Sequence, residues 1–201
     1  MTQMHLYEGL PLFGTGIVLG LALIAKHALL LVKPAESQAF LKTFPRNDKL
    51  GQVLLGFGML WFWLLVAPPD KGVLSFLSMD LGEFDKIKNV LRIAVPISIV
   101  LVGLSVKEFL AVRALGLVGL MVAAPLFGAA FQKPVESRLL IPIYVYGLVI
   151  ASLYFVGMPY LFRDLVTWAS ASASRWRNLC LAGLTYGVAV LACALLFWKG
   201  Y

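Results

Sequence analysis

Six stretches of the chain contain no Asp, Glu, Lys or Arg: residues 10–25, 50–69, 93–106, 114–132, 139–162 and 178–198. A helix needs about 20 residues to cross a hydrocarbon layer of about 30 Å, and a helix satisfies its own backbone groups there. Four of the stretches reach or approach that length. The first reaches it by running on to Val32, which takes Lys26 and His27 into its last turns. The third does so by starting near Asn89, with Arg92 inside. Both extensions are tolerable, because long basic side chains lay their methylenes along apolar surface and lift the charge to the interface. The pattern predicts an all-α membrane protein, a single polytopic domain over 1–201. It is a six-span transmembrane helical bundle with spans at 10–32, 50–67, 89–106, 109–131, 139–162 and 178–198.

Two connecting segments have an apolar side. In residues 34–44 the apolar positions are Phe40, Leu41 and Phe44, and Phe44-Pro45 ends the run. In residues 73–88, after the break at Pro68, Pro69 and Gly72, Leu74, Leu77, Leu81, Phe84 and Leu91 recur at helical spacing. Asp80, Glu83, Asp85 and Lys86 fall largely elsewhere. Both predict amphipathic helices, the first on the inner face and the second in the outer interface plane or against a partner subunit, although Gly82 weakens the second. The short link from Ser105 to Glu108 suits a tight helical hairpin, and the Ser/Ala run from Ser170 to Ser174 reads as a linker or frayed helix.

Composition agrees with this pattern. Apolar residues make up 61% of the chain and charged ones 13%, with mean hydropathy +0.89. That excludes a water-soluble fold, a secreted disulfide scaffold, a disordered segment and a nucleic-acid binder built on a basic surface. The net charge of +7 therefore points to the lipid bilayer as the partner, with no nucleic acid. The first, third and fifth loops hold more Lys and Arg than the other side, and Met1 to Glu8 carry none. Both termini are therefore expected on the non-cytoplasmic side, with no cleavable signal peptide. The tryptophans near the span ends, including Trp61, Trp63, Trp176 and Trp198, are expected in interfacial belts. Cys180 and Cys193 stand about 20 Å apart along one helix and cannot bridge.

Candidate chemistry is sparse. His5 and His27 lie about 33 Å apart, mostly along one helix, so they cannot share a haem or metal. His27 alone could serve as an axial ligand to a pigment or haem held with another subunit. Gly14-Thr15-Gly16 has no strand or Lys-Ser beside it, so it is not a phosphate loop. No Gly-x-Ser-x-Gly and no zinc-ligand cluster occurs. What stands out is a candidate inner-side polar cluster of Lys26, Glu108 and Arg113. Arg113 follows Glu108 by five residues and faces another way, so Lys26 is the better partner for Glu108.

Two short peptides match at four of five positions, Lys33-Pro34-Ala35-Glu36-Ser37 and Lys133-Pro134-Val135-Glu136-Ser137. A true repeat would relate spans one to three to spans four to six, in inverted topology. Pro followed two residues later by Glu is also simply a favoured helix start. Small residues four apart recur at Gly16/Gly20, Ala124/Gly128, Gly147/Ala151 and Gly183/Gly187, the spacing that lets membrane helices approach closely. No span centre holds a carboxylate, which disfavours ion-coupled transport, and no catalytic constellation is present, so the chain is not expected to be an enzyme. The expectation is a non-catalytic subunit or assembly factor of a larger membrane complex, with other membrane subunits or copies of itself as partners and no cofactor. The alternative is a small-solute or ion permease on a three-plus-three plan.

Overall fold

The computed structural model describes residues 7, 9–68, 77–105 and 108–201. His5, Lys71, residues 73–76 and residues 106–107 of the predicted hairpin lie outside them. The described chain forms eight α-helices: α1 (Leu12–Val32), α2 (Pro34–Thr43), α3 (Asp48–Val66), α4 (Lys88–Ser105), α5 (Leu110–Ala130), α6 (Leu140–Gly157), α7 (Tyr160–Ser170) and α8 (Ala173–Phe197). Tighter 3₁₀ turns occur at Phe44–Arg46, Gly82–Ile87 and Glu136–Leu139, and no strand is found among the described residues. Five helices are long and apolar enough to cross a membrane: α1, α3, α5, α8 and α6 with its leading 3₁₀ turn. The third predicted span is α4, which is not among the five. It has 18 residues, and Lys88, Asn89 and Arg92 take up its first turns.

Helices α1 and α8 form one closely packed pair and α5 and α6 another, while α3 lies on α5 and α4 lies on α3. Successive long helices alternate in direction. At one end of the bundle Phe13 N–H donates to Tyr201 O (3.1 Å), so both ends of the described chain meet there. The core at this terminal end joins Leu12 of α1, Ile141 and Val145 of α6, Val190 and Ala194 of α8, and Trp198. At the opposite, loop end sit α2 and α7. The ring of Phe44 packs on that of Phe162 (5.6 Å between centroids), which in turn meets Phe155 (5.3 Å). Ala111 and Val112 at the start of α5 complete this cluster.

Lipid supplies no hydrophobic drive for helix association, so close backbone approach over small residues has to hold the pairs together. A Cβ on Gly187 would stand 2.9 Å from Leu23 Cβ and 3.0 Å from Ile24 N. One on Gly20 would stand 3.0 Å from Leu191 N and 3.1 Å from Gly187 O. The α1/α8 crossing thus uses both predicted glycine pairs. Similar contacts close the α5/α6 and α3/α5 crossings, with Gly116 on Ser152 O of α6 and Gly51 of α3 on the backbone of Ala111.

Three sequence expectations need correction. Within residues 73–88, the described part is not an amphipathic α-helix: residues 78–81 are irregular and Gly82–Ile87 is a 3₁₀ turn. Gly82 adopts φ +59°, Asp80 Oδ1 accepts from Gly82 N–H (2.8 Å), and Asp85 Oδ1 accepts from Leu81 N–H (2.9 Å). These local side-chain bonds offer the backbone an alternative to the helix ladder. The fifth span stops at Gly157 instead of running to 162, because Met158-Pro159 breaks it and α7 follows at the loop end. The matched peptides also fold differently. Pro34 opens α2, with Lys33 paired to Glu36 (3.0 Å), whereas Pro134 precedes only a 3₁₀ turn. The short helix α2 follows the first long helix of one half of the chain and α7 the second long helix of the other, so the sequence match is not a structural repeat.

Candidate functional site

The three residues of the predicted polar cluster are each exposed, on α1, in the turn before α5 and on α5 itself. Lys26 sits beside Cys180 of α8. Among the described residues no ion pair within 4 Å joins Lys26, Glu108 or Arg113 to one another. Arg113 instead reaches α6, where Nη1 donates to Val156 O (3.1 Å). His27 Nδ1 donates to Leu23 O (2.8 Å), and the Nε2 edge of its ring lies directly on Gly183 of α8. The space a metal would need beside that nitrogen is taken by Gly183 of the neighbouring helix.

Arg113 belongs to a pattern that the sequence did not reveal. The last carbonyls of an α-helix have no partner within it and carry its negative dipole end. Arg92 Nε donates to Ala67 O at the end of α3 (2.6 Å), Arg138 Nη1 to Ala130 O at the end of α5 (2.9 Å), and Arg175 Nη1 to Trp168 O near the end of α7 (2.6 Å). With Arg113 at the end of α6, four arginines close four helix C-termini. Indole N–H groups work alongside them: Trp176 Nε1 donates to Leu30 O of α1 (2.9 Å), Trp63 Nε1 to Arg92 O (3.2 Å), Trp198 Nε1 to Ser137 Oγ (2.8 Å) and Trp61 Nε1 to Tyr7 Oη (2.5 Å). The belt expectation is corrected for two of these tryptophans. Trp176 and Trp198 are buried, Trp198 completely, and serve as hydrogen-bonding staples.

At the terminal end the chain after α3 folds back, with Met79 N–H on Leu65 O (2.8 Å) and Ser78 Oγ–H on Pro68 O (3.2 Å). Lys88, buried at the start of α4, pairs with Asp85 (2.9 Å). That ammonium and the Leu81 N–H hold the Asp85 carboxyl below its ordinary value of 3.8.

A concavity lies at the same end, between the last turns of α5 and the first turns of α6. It is a half-open cavity of about 910 Å³. Phe127 and Tyr146 meet edge to face on its wall (5.3 Å between centroids), with Phe131, Leu139 and Pro142 beside them. Lys133 and Arg138 are its charged residues, and Gln132 at its lip adopts φ +53°. Neither cation makes a salt bridge among the described residues, and Glu136 in the same loop does not line the cavity. Among the described residues no group of three His, Cys, Asp or Glu converges that could hold a metal ion. No family model matches the chain, and no curated protein or solved structure matches it.

Proposed function

We propose that the chain is an integral membrane protein of six spans, α4 being the short one, that serves as a non-catalytic subunit or assembly factor of a larger membrane complex. Its basic loop end, with α2 and α7 in the interface, faces the cytoplasm, and both termini lie on the other side. The observation that carries this reading is an unused small-residue face on α6. A Cβ on Gly147 would meet nothing within 4 Å, whereas Gly16, Gly20, Gly116, Gly128, Gly183 and Gly187 all lie against another part of the chain. Gly147 and Ala151 are flanked by exposed Tyr146, Ile150 and Tyr154. Glycine within a helix costs about 1 kcal/mol relative to Ala, and here no contact among the described residues offsets it. A neighbouring helix seated on this face would.

Affinity purification of the full chain in mild detergent tests the reading. Other membrane chains are expected in stoichiometric amount with the native protein and should be lost from Gly147→Leu, while its melting temperature stays unchanged. A lone homo-oligomer stabilised by a small solute would overturn the proposal in favour of a permease.

A further inference from the structure

We infer that the cavity between α5 and α6 is a binding site for an anionic glycerophospholipid. Its walls separate two chemistries along one axis. Lys133 and Arg138 belong to the loop that joins the two helices, at the level of the bundle where Trp198 bonds Ser137. Phe127, Pro142 and Tyr146 lie further along the helices, towards the bundle's middle. A phosphate at the first level and an acyl chain along the second would satisfy both at once. Inorganic phosphate would leave the aromatic wall uncovered, and a hydrocarbon alone would leave two cations without a counter-charge.

The net charge of the headgroup follows from the same residues. Among the described residues the cavity is lined by two cations and no carboxylate, so a zwitterionic lipid would bring its own ammonium group towards like charge. Arg138 is held in place by its bond to Ala130 O, and a guanidinium has four further N–H groups to offer a phosphate. Lys133 adds a point charge on a flexible stem. The attraction is local, because the more basic part of the described molecule is the opposite, loop end, with Lys33, Lys42, Arg46, Lys49, Arg163 and Arg177.

The experiment uses the full chain, delipidated in mild detergent, with phosphatidylglycerol, phosphatidylcholine and inorganic phosphate titrated separately. Native mass spectrometry and melting temperature are the readouts. Phosphatidylglycerol is expected to give a retained one-to-one adduct and a raised melting temperature, while the other two give neither. Lys133→Glu should weaken phosphatidylglycerol binding about tenfold or more, the loss expected for one charge-assisted hydrogen bond, and leave the lipid-free melting temperature unchanged. Lys42→Glu changes the net charge equally at the other end and should leave binding as it is. If Lys133→Glu does not fold, Lys133→Gln serves in its place. Equal stabilisation by phosphatidylcholine or phosphate, equal loss in both charge variants, or undiminished binding after substitution of Lys133 would each overturn the site.

Discussion

At the scale of the residue, the same amino acid does opposite work in different places. Gly187 is pressed against α1 backbone, so Gly187→Ala must push two helices apart. Overpacking of this kind costs about 1–3 kcal/mol, and thermal unfolding in detergent should show it. Gly147→Ala meets nothing within 4 Å and should be neutral or slightly stabilising in the same assay. A sequence shows glycine at a favourable spacing in both cases, and only the partner's position separates them. Asp85 offers a second residue-level test. Its folded carboxyl titrates below its ordinary 3.8, so the pair with Lys88 stabilises fully above that value. The contribution is lost as pH falls through the lower folded value. Asp85→Asn should therefore lower the melting temperature at neutral pH, because it leaves the buried Lys88 ammonium without this counter-ion, and the gap to the native protein should close below about pH 3.8. A gap of constant size down to pH 2 would mean that the carboxylate's charge is irrelevant.

At the scale of the element, the five helices long and apolar enough to cross a membrane were legible from the absence of charge, and their ends were not. Residues 10–25 and 114–132 announce α1 and α5 because a charge inside them would be costly. Helix α7 was hidden because Phe162, at its first turn, looks like a continuation of the apolar run before it. A signal was present in Pro159 after Gly157, and in Phe162, Val166 and Ala169 at helical spacing with Arg163, Asp164 and Thr167 between them. The closure of α6 by Arg113 and the staple from Trp176 to α1 were out of reach for a different reason. Val156 lies 43 residues from Arg113, and Leu30 lies 146 residues from Trp176, so nothing local marks either pairing. In the six-span pattern Arg113 lies near the same surface as Lys26 and Glu108, which is what groups the three. If the closures matter, removing them should follow burial. Arg92→Gln, at a half-buried bond of 2.6 Å, should cost about 1.5–3 kcal/mol. Arg113→Gln, at an exposed one, should cost less than about 1 kcal/mol. Equal melting temperatures for the two variants would deny that the carbonyls depend on them.

At the scale of the whole molecule, the alternation of helix direction divides the surface into two ends. Single cysteines at 47 and 172 should share one accessibility to an impermeant thiol reagent in intact cells, and cysteines at 80 and 199 the other, with Cys180 and Cys193 replaced. Labelling of 47 together with 199 would contradict the alternation, and labelling of 47 and 172 alone would reverse the orientation proposed for it. The pairing of α1 with α8 has a consequence for how the protein is made. A chain emerging from the ribosome releases α1 well before α8, and its partner arrives only after α3, α4, α5 and α6 have been synthesised. Until then the groove around Gly16 and Gly20 faces lipid or a passing helix, and the bundle is assembled like a clasp whose two halves are sewn at opposite ends of the cloth. A nascent chain stalled before α8 would hold α3, α5 and α6 with α1 still unpaired, open to capture by a chaperone or a protease of the membrane.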